Sequence, residues 1–205
     1  MKARSAKSGD SQLIQIVDAA LADAARKSGE WLVCGPGCSQ CCVGVFAVNQ
    51  LDVERLHRGM AELESADPER AARVKKRARD SVSRLTSEFP GNAATGLLDE
   101  SEEAEATFEE FGNDEPCPAL DPATGMCDVY ASRPMTCRVF GPPVRTEGGL
   151  GTCELCYHGA TDEQIAACEM VADPDDLEAA LVLQLDRKGK RGRTIVAWAL
   201  QGAGE

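Results

Sequence analysis

The spacing of apolar residues divides this chain into helical ends and an irregular centre. Leu13, Ile14, Val17, Leu21 and Ala24 recur at intervals of three and four, which marks one face of an amphipathic helix. Asp10 or Ser11 suits its N-cap, and Ser28-Gly29 its end. A second stripe runs through Leu51, Leu56, Met60 and Leu63, opened by Asn49 with Asp52 three residues on. Asp67-Pro68-Glu69 is a stronger start, combining a cap, a proline in the first turn and an acid at the positive helix end. That third helix is expected to reach about Phe89, with Ala71, Val74, Ala78, Val82 and Leu85 inward and arginines and lysines outward. Pro90-Gly91 then breaks it.

Elsewhere the periodicity weakens. VGVFAV at 43–48 is a short apolar run without helical spacing. Residues 99–115 are strongly acidic, anchored by Phe108 and Phe111, and read as a solvated helix or mobile segment with the option of pairing to the basic third helix. From Pro116 to Cys156, five cysteines lie among closely spaced prolines and glycines, leaving little room for regular structure. Helical patterns return at about 161–171 and 176–187, and RGRTIVAWAL at 191–200 suits a strand or a final helix. The expected fold is mainly α, with helices framing an irregular, loop-rich cysteine core and at most a short β-hairpin near 117–130. The expected organisation is an N-terminal helix (1–30), a cysteine-cluster domain (31–160, with a helical insertion over about 50–112) and a C-terminal helical segment (161–205) packing on it.

The net charge of −12 over 205 residues argues against nucleic acid or an anionic membrane as the main partner, because phosphate binding needs a basic face. No apolar stretch approaches the roughly 18 residues of a membrane span. The basic N-terminus MKARSAKSGD is followed by no apolar segment, so no secretory signal is expected and the cytoplasm is the default compartment. There, clustered cysteines bind metal or do redox chemistry more often than they form disulfides. A protein partner remains possible, with the acidic 99–115 segment as its candidate surface.

CGPGCSQCC at 34–42 places four of the ten cysteines in nine positions. Glycine and proline exclude helix there, and Pro36-Gly37 suits the centre of a type II turn. Cys38 and Cys41 have the two-residue gap that lets two sulfurs reach one centre. Adjacent Cys41 and Cys42 are harder to place together, so one of them suits a second centre or a position behind the first. Cys117, Cys127, Cys137 and the pair Cys153/Cys156 follow, and Asp121-Pro122-Ala123-Thr124-Gly125 is turn chemistry that brings Cys117 and Cys127 close. With Cys34, this makes nine candidate thiolate ligands. Cys168 sits on an apolar helix side with Ile165 and reads as core. His57 reads as a helix-surface residue, and His158 as either a ligand or a loop residue. Tyr130 reads as a packing residue.

Together, CGPGCSQCC and CPALDPATGMCDVYASRPMTCRVFGPP resemble the YkgJ-type cysteine cluster family, a zinc- or iron-chelating domain with a CxxCxxCC motif. The resemblance covers about residues 31–156. It implies metal binding by Cys38, Cys41, Cys42, Cys117, Cys127 and Cys137, together with Cys34. Here three residues rather than two separate Cys34 from Cys38. Cys153 and Cys156 join the set on their spacing. Arg133 and Arg138 flank Cys137 as candidates for offsetting thiolate charge by hydrogen bonds around the cofactor.

The all-sulfur set and the near absence of histidine favour an iron–sulfur cluster, of the 4Fe-4S type, over zinc. The alternatives are a structural zinc-binding interaction module and an accessory or catalytic component of a protein lysine methylation system, which the resemblance suggests. No catalytic residue is identified. Cys34-x3-Cys38-x2-Cys41 matches the radical-enzyme spacing formally, but the chain is too short and too helical for the barrel such chemistry uses.

Overall fold

The computed structural model describes residues 6–146 and 149–203. In chain order, α1 (Ala6–Ser28) leads to strand β1 (Ala47–Val48), then α2 (Gln50–Ala66) and α3 (Pro68–Leu85). Next come β2 (Gly91–Asn92), β3 (Leu97–Leu98) and α4 (Glu102–Glu110), followed by β4 (Leu120–Asp121) and β5 (Met126–Cys127). The chain continues through α5 (Met135–Val139), β6 (Val144–Thr146) and β7 (Gly149–Gly151) into α6 (Asp162–Ala167) and α7 (Leu177–Asp186). It closes with β8 (Thr194–Ile195) and α8 (Val196–Gln201). The fold is mainly helical, and its strands occur only as short two-stranded pairs among the described residues. No helix among them is long and apolar enough to cross a membrane. Two compact units arise, one from Met1–Gly35 with Met135–Lys188, the other from Pro36–Pro134 with Gly189–Glu205.

In the first unit α1 packs on α7 and α5, burying Leu13, Val17 and Ala24 as its 3.6-residue stripe requires. The helix does not start at Asp10 or Ser11. It already includes Ala6, and Asp10 is buried within it. Gly9 explains the extension: a Cβ there would lie 2.6 Å from Leu181 Cδ2, so α1 is drawn against α7 ahead of Asp10. Gly29, at φ +52°, ends the helix. Thr161 and Gln164 form a reciprocal capping box on α6. That helix is shorter than its sequence pattern suggests, because the Met170 N–H donates to the Pro143 carbonyl at 2.7 Å and diverts the chain. The Asp173 carboxylate accepts from Leu177 N and Glu178 N and so holds the start of α7.

In the second unit α2, α3 and α8 enclose Leu56, Met60, Val74, Ala78 and Leu200, each worth about 1–3 kcal/mol of burial. The Asn49 side chain accepts from Leu51 N and Asp52 N, and the Asp67 side chain from Arg70 N, as the sequence indicates. RGRTIVAWAL makes both alternatives in turn. Ile195 pairs with Ala47 in an antiparallel ladder, and α8 follows at once. The acidic segment forms α4, capped by Ser101, with Phe111 packed edge-on to Phe89. Glu115 receives two hydrogen bonds from Arg84, joining this segment to the basic helix α3.

The β4–β5 hairpin pairs Leu120 with Cys127 and turns through Asp121, whose carboxylate accepts from Ala123 N and Thr124 Oγ1. Asp128, its side chain 2% exposed, accepts from Arg70 Nε and from Arg77 Nη2, while Arg77 Nε donates to the Pro118 carbonyl. Two arginines on one face of α3 thus hold the hairpin. Asp128→Ala is expected to cost about 2–3 kcal/mol in denaturant unfolding. A loss below about 0.5 kcal/mol would show that the arginines only skim the surface.

Candidate metal centre

Three cysteines of the first unit come together from two loops. Cys34 follows the short turn after α1, and Cys153 and Cys156 lie in the loop after β7, closed by Cys156 N donating to Cys153 O at 2.9 Å. The three sulfurs lie within 4.8 Å of one another, and Cys34 Sγ is 3.6 Å from Cys156 Sγ. Cys153 and Cys156 are buried beside Tyr157 and Cys168, whereas Cys34 is exposed. Burial pushes the Cys153 thiol above its ordinary pKa.

The backbone around this trio is specialised. Tyr157 adopts φ +61°, donates its N–H to the Trp31 carbonyl and shares a 2.5 Å hydrogen bond with the Ser28 hydroxyl. Gly141 adopts φ +120°, accepts from Cys153 N, and leaves room for a sulfur: a Cβ there would lie 3.2 Å from Cys34 Sγ. Neither contact is legible from spacing, since the glycine and the tyrosine lie more than a hundred residues from Cys34. An ion bound tetrahedrally by thiolates at about 2.3 Å sets its sulfurs about 3.8 Å apart. The Cys34–Cys156 spacing of 3.6 Å is close to that value, and all three sulfurs fall within 4.8 Å of one another.

The second unit holds Cys38, Cys41, Cys42, Cys117 and Cys127. Gly37, at φ +87°, completes the expected turn before Cys38. The β4–β5 turn lies against it, since a Cβ on Gly125 would sit 3.0 Å from the Gly37 carbonyl oxygen. Cys117 N donates to Cys42 O at 2.7 Å, and Val43 bridges to Pro116. Two distant cysteine segments are thereby fastened by their backbones.

Their sulfurs feel one another. A hydrogen bond from the Cys42 thiol pulls Cys41 down to about 6, helped by the Arg133 guanidinium, and the same bond together with burial pushes Cys42 up. Burial raises Cys117 to about 12 and Cys127 above its ordinary range. Cys41, Cys117 and Cys127 each add charge that opposes ionisation of Cys42. Among the described residues, however, the Cys34, Cys153 and Cys156 sulfurs are the one group of three candidate ligand atoms mutually within 4.8 Å.

The other candidates are placed as follows. Arg133 covers the exposed ring of Tyr130 at 4.0 Å and donates to its carbonyl, while its charge favours the thiolates of Cys41 and Cys127. Tyr130 is 61% exposed, so it is not a packing residue; its ring serves as a platform for Arg133. Arg138 is buried and donates to Asp18 on α1 at 2.8 Å. Cys137 lies on α5, outside the close trio. His57 Nε2 donates to the Ala199 carbonyl, His158 is exposed, and Cys168 is core.

Convergent thiols on irregular loops define a metal-chelating cysteine-cluster protein. The sequence profile of the CxxCxxCC family, described as a "putative zinc- or iron-chelating domain", matches residues 33–156, and the chain belongs to that family. No curated protein and no solved structure matches the chain detectably.

Gly141→Ala tests the fit around the trio. A side chain at this φ, pressed on Cys34, is expected to cost about 1–3 kcal/mol and to speed alkylation of Cys153 and Cys156. Stability and thiol reactivity equal to the parent protein would show that the close approach is unnecessary.

Proposed function

We propose that the protein holds metal through cysteine thiolates, with Cys34, Cys153 and Cys156 gripping a single zinc or iron ion. The carrying observation is the contact spacing of these three sulfurs, 3.6 Å for Cys34 and Cys156 and within 4.8 Å for all. A four-iron cube instead gives each cysteine its own corner and spreads the sulfurs wider. The exposed side at Cys34 admits a fourth ligand. Because the ion would join the end of α1 to the 153–156 loop, part of its binding free energy would be folding free energy.

A second reading assigns an iron–sulfur cluster to Cys41, Cys42, Cys117 and Cys127, with Cys38 as a further candidate from the family motif. The specific support is that Cys117 N donates to Cys42 O and the four thiols influence one another electrostatically, while among the described residues no three of their sulfurs lie mutually within 4.8 Å. Arg133 would offset part of the thiolate charge.

Iron, zinc and acid-labile sulfide measured on protein purified without oxygen test both readings. Cys153→Ser is expected to lose about one metal ion per chain with sulfide unchanged. Cys127→Ser is expected to lose sulfide, iron and brown colour together. Colourless protein containing only zinc would reject the cluster while leaving the trio intact. Metal-free wild-type protein that is fully folded would overturn both.

A further inference from the structure

The chain is acidic overall, yet two adjacent cations, Lys190 and Arg191, line a cavity of about 290 Å³. Lys190, Arg191 and His57 line that cavity, and among the described residues no carboxylate does. The walls are already fixed. Gln50 Nε2 donates to Gly192 O, His57 Nε2 to Ala199 O and Trp198 Nε1 to Ala93 O. Apolar surface is supplied by Val53, Leu97 and Trp198.

Thr194 adds an independent pointer. It lines the cavity, is 5% exposed, and its Oγ1 is buried with no hydrogen-bond partner. Buried hydroxyls are nearly always paired, and an orphan costs about 1–3 kcal/mol. A ligand group accepting from this hydroxyl would remove that cost. At the rim Lys190 meets Glu54 at 2.7 Å, but the lysine is 55% exposed, and such pairs are weak enough for an incoming anion to compete.

We propose that this cavity binds a small organic anion, either a phosphate ester or a carboxylate. Its charged group lies at Lys190 and Arg191, it accepts a hydrogen bond from Thr194, and its apolar body rests on Trp198 and Leu97. The volume lies at the small end of ligand pockets, suited to a molecule no larger than a nucleoside monophosphate. No cysteine lines the cavity, so the assignment stands apart from the metal readings.

The test is calorimetric titration of the full-length, metal-loaded protein with adenosine monophosphate and with indole-3-acetate. Neutral adenosine and inorganic phosphate serve as controls. Saturable one-to-one binding of either organic anion is expected, and which one binds separates the phosphate from the carboxylate source. Lys190→Gln with Arg191→Gln should weaken that binding at least about tenfold. Thr194→Val should weaken it severalfold while leaving thermal stability at least unchanged, because the hydroxyl has no protein partner to lose. The proposal is overturned if neither organic anion saturates, if adenosine or phosphate alone binds as well, or if the variants bind like the parent. Metal content measured on the same samples should not differ between the variants.

Discussion

Bringing sulfurs into contact is the constraint around which the cysteine-bearing loops are built. Three of them lie within 4.8 Å, two in buried surroundings. Two thiolates 3.6 Å apart would repel by about 4–5 kcal/mol at an effective dielectric of 20. Burial already raises Cys153, so without a cation that thiol favours its protonated form and offers only a weak hydrogen bond. A bound cation reverses the balance by making each thiolate attractive, with protons released as it enters. The same logic applies to Cys117 and Cys127, whose burial holds both above the ordinary thiol range.

The helices position these loops more than they form the site. In the second unit, α3 grips the β4–β5 hairpin through Arg70, Arg77 and Asp128, which sets the backbone of Cys127. Backbone bonds between Cys42 and Cys117 then fasten the 38–42 segment to the same hairpin region. In the first unit, α1 delivers Cys34, and Tyr157 ties the following loop back to Ser28 and Trp31. Left-handed backbone at Tyr157 and at Gly141 lets the chain close around sulfur without a clash.

Local rules were enough where the deciding contacts were local. Asn49 and Asp67 cap the helices that their spacing announces, and Asp121 to Gly125 makes its turn. Asp10 misled because a helix–helix contact at Gly9 outweighs a good cap. The short α6 ends under a long-range hydrogen bond from Met170 to Pro143. At the site, sequence identifies the thiols as a class, since their spacing and the family motif are chemical. It does not reveal that Cys34 keeps company with Cys153 and Cys156, because that grouping is decided by chain paths across more than a hundred residues.

Ligation by sulfur is the claim on which this picture stands, and X-ray absorption at the edge of the bound metal reads it directly. The expected spectrum is dominated by a sulfur shell at about 2.3 Å. A shell of nitrogen or oxygen at about 2.0–2.1 Å, with little sulfur, would mean that the thiols do not hold the metal.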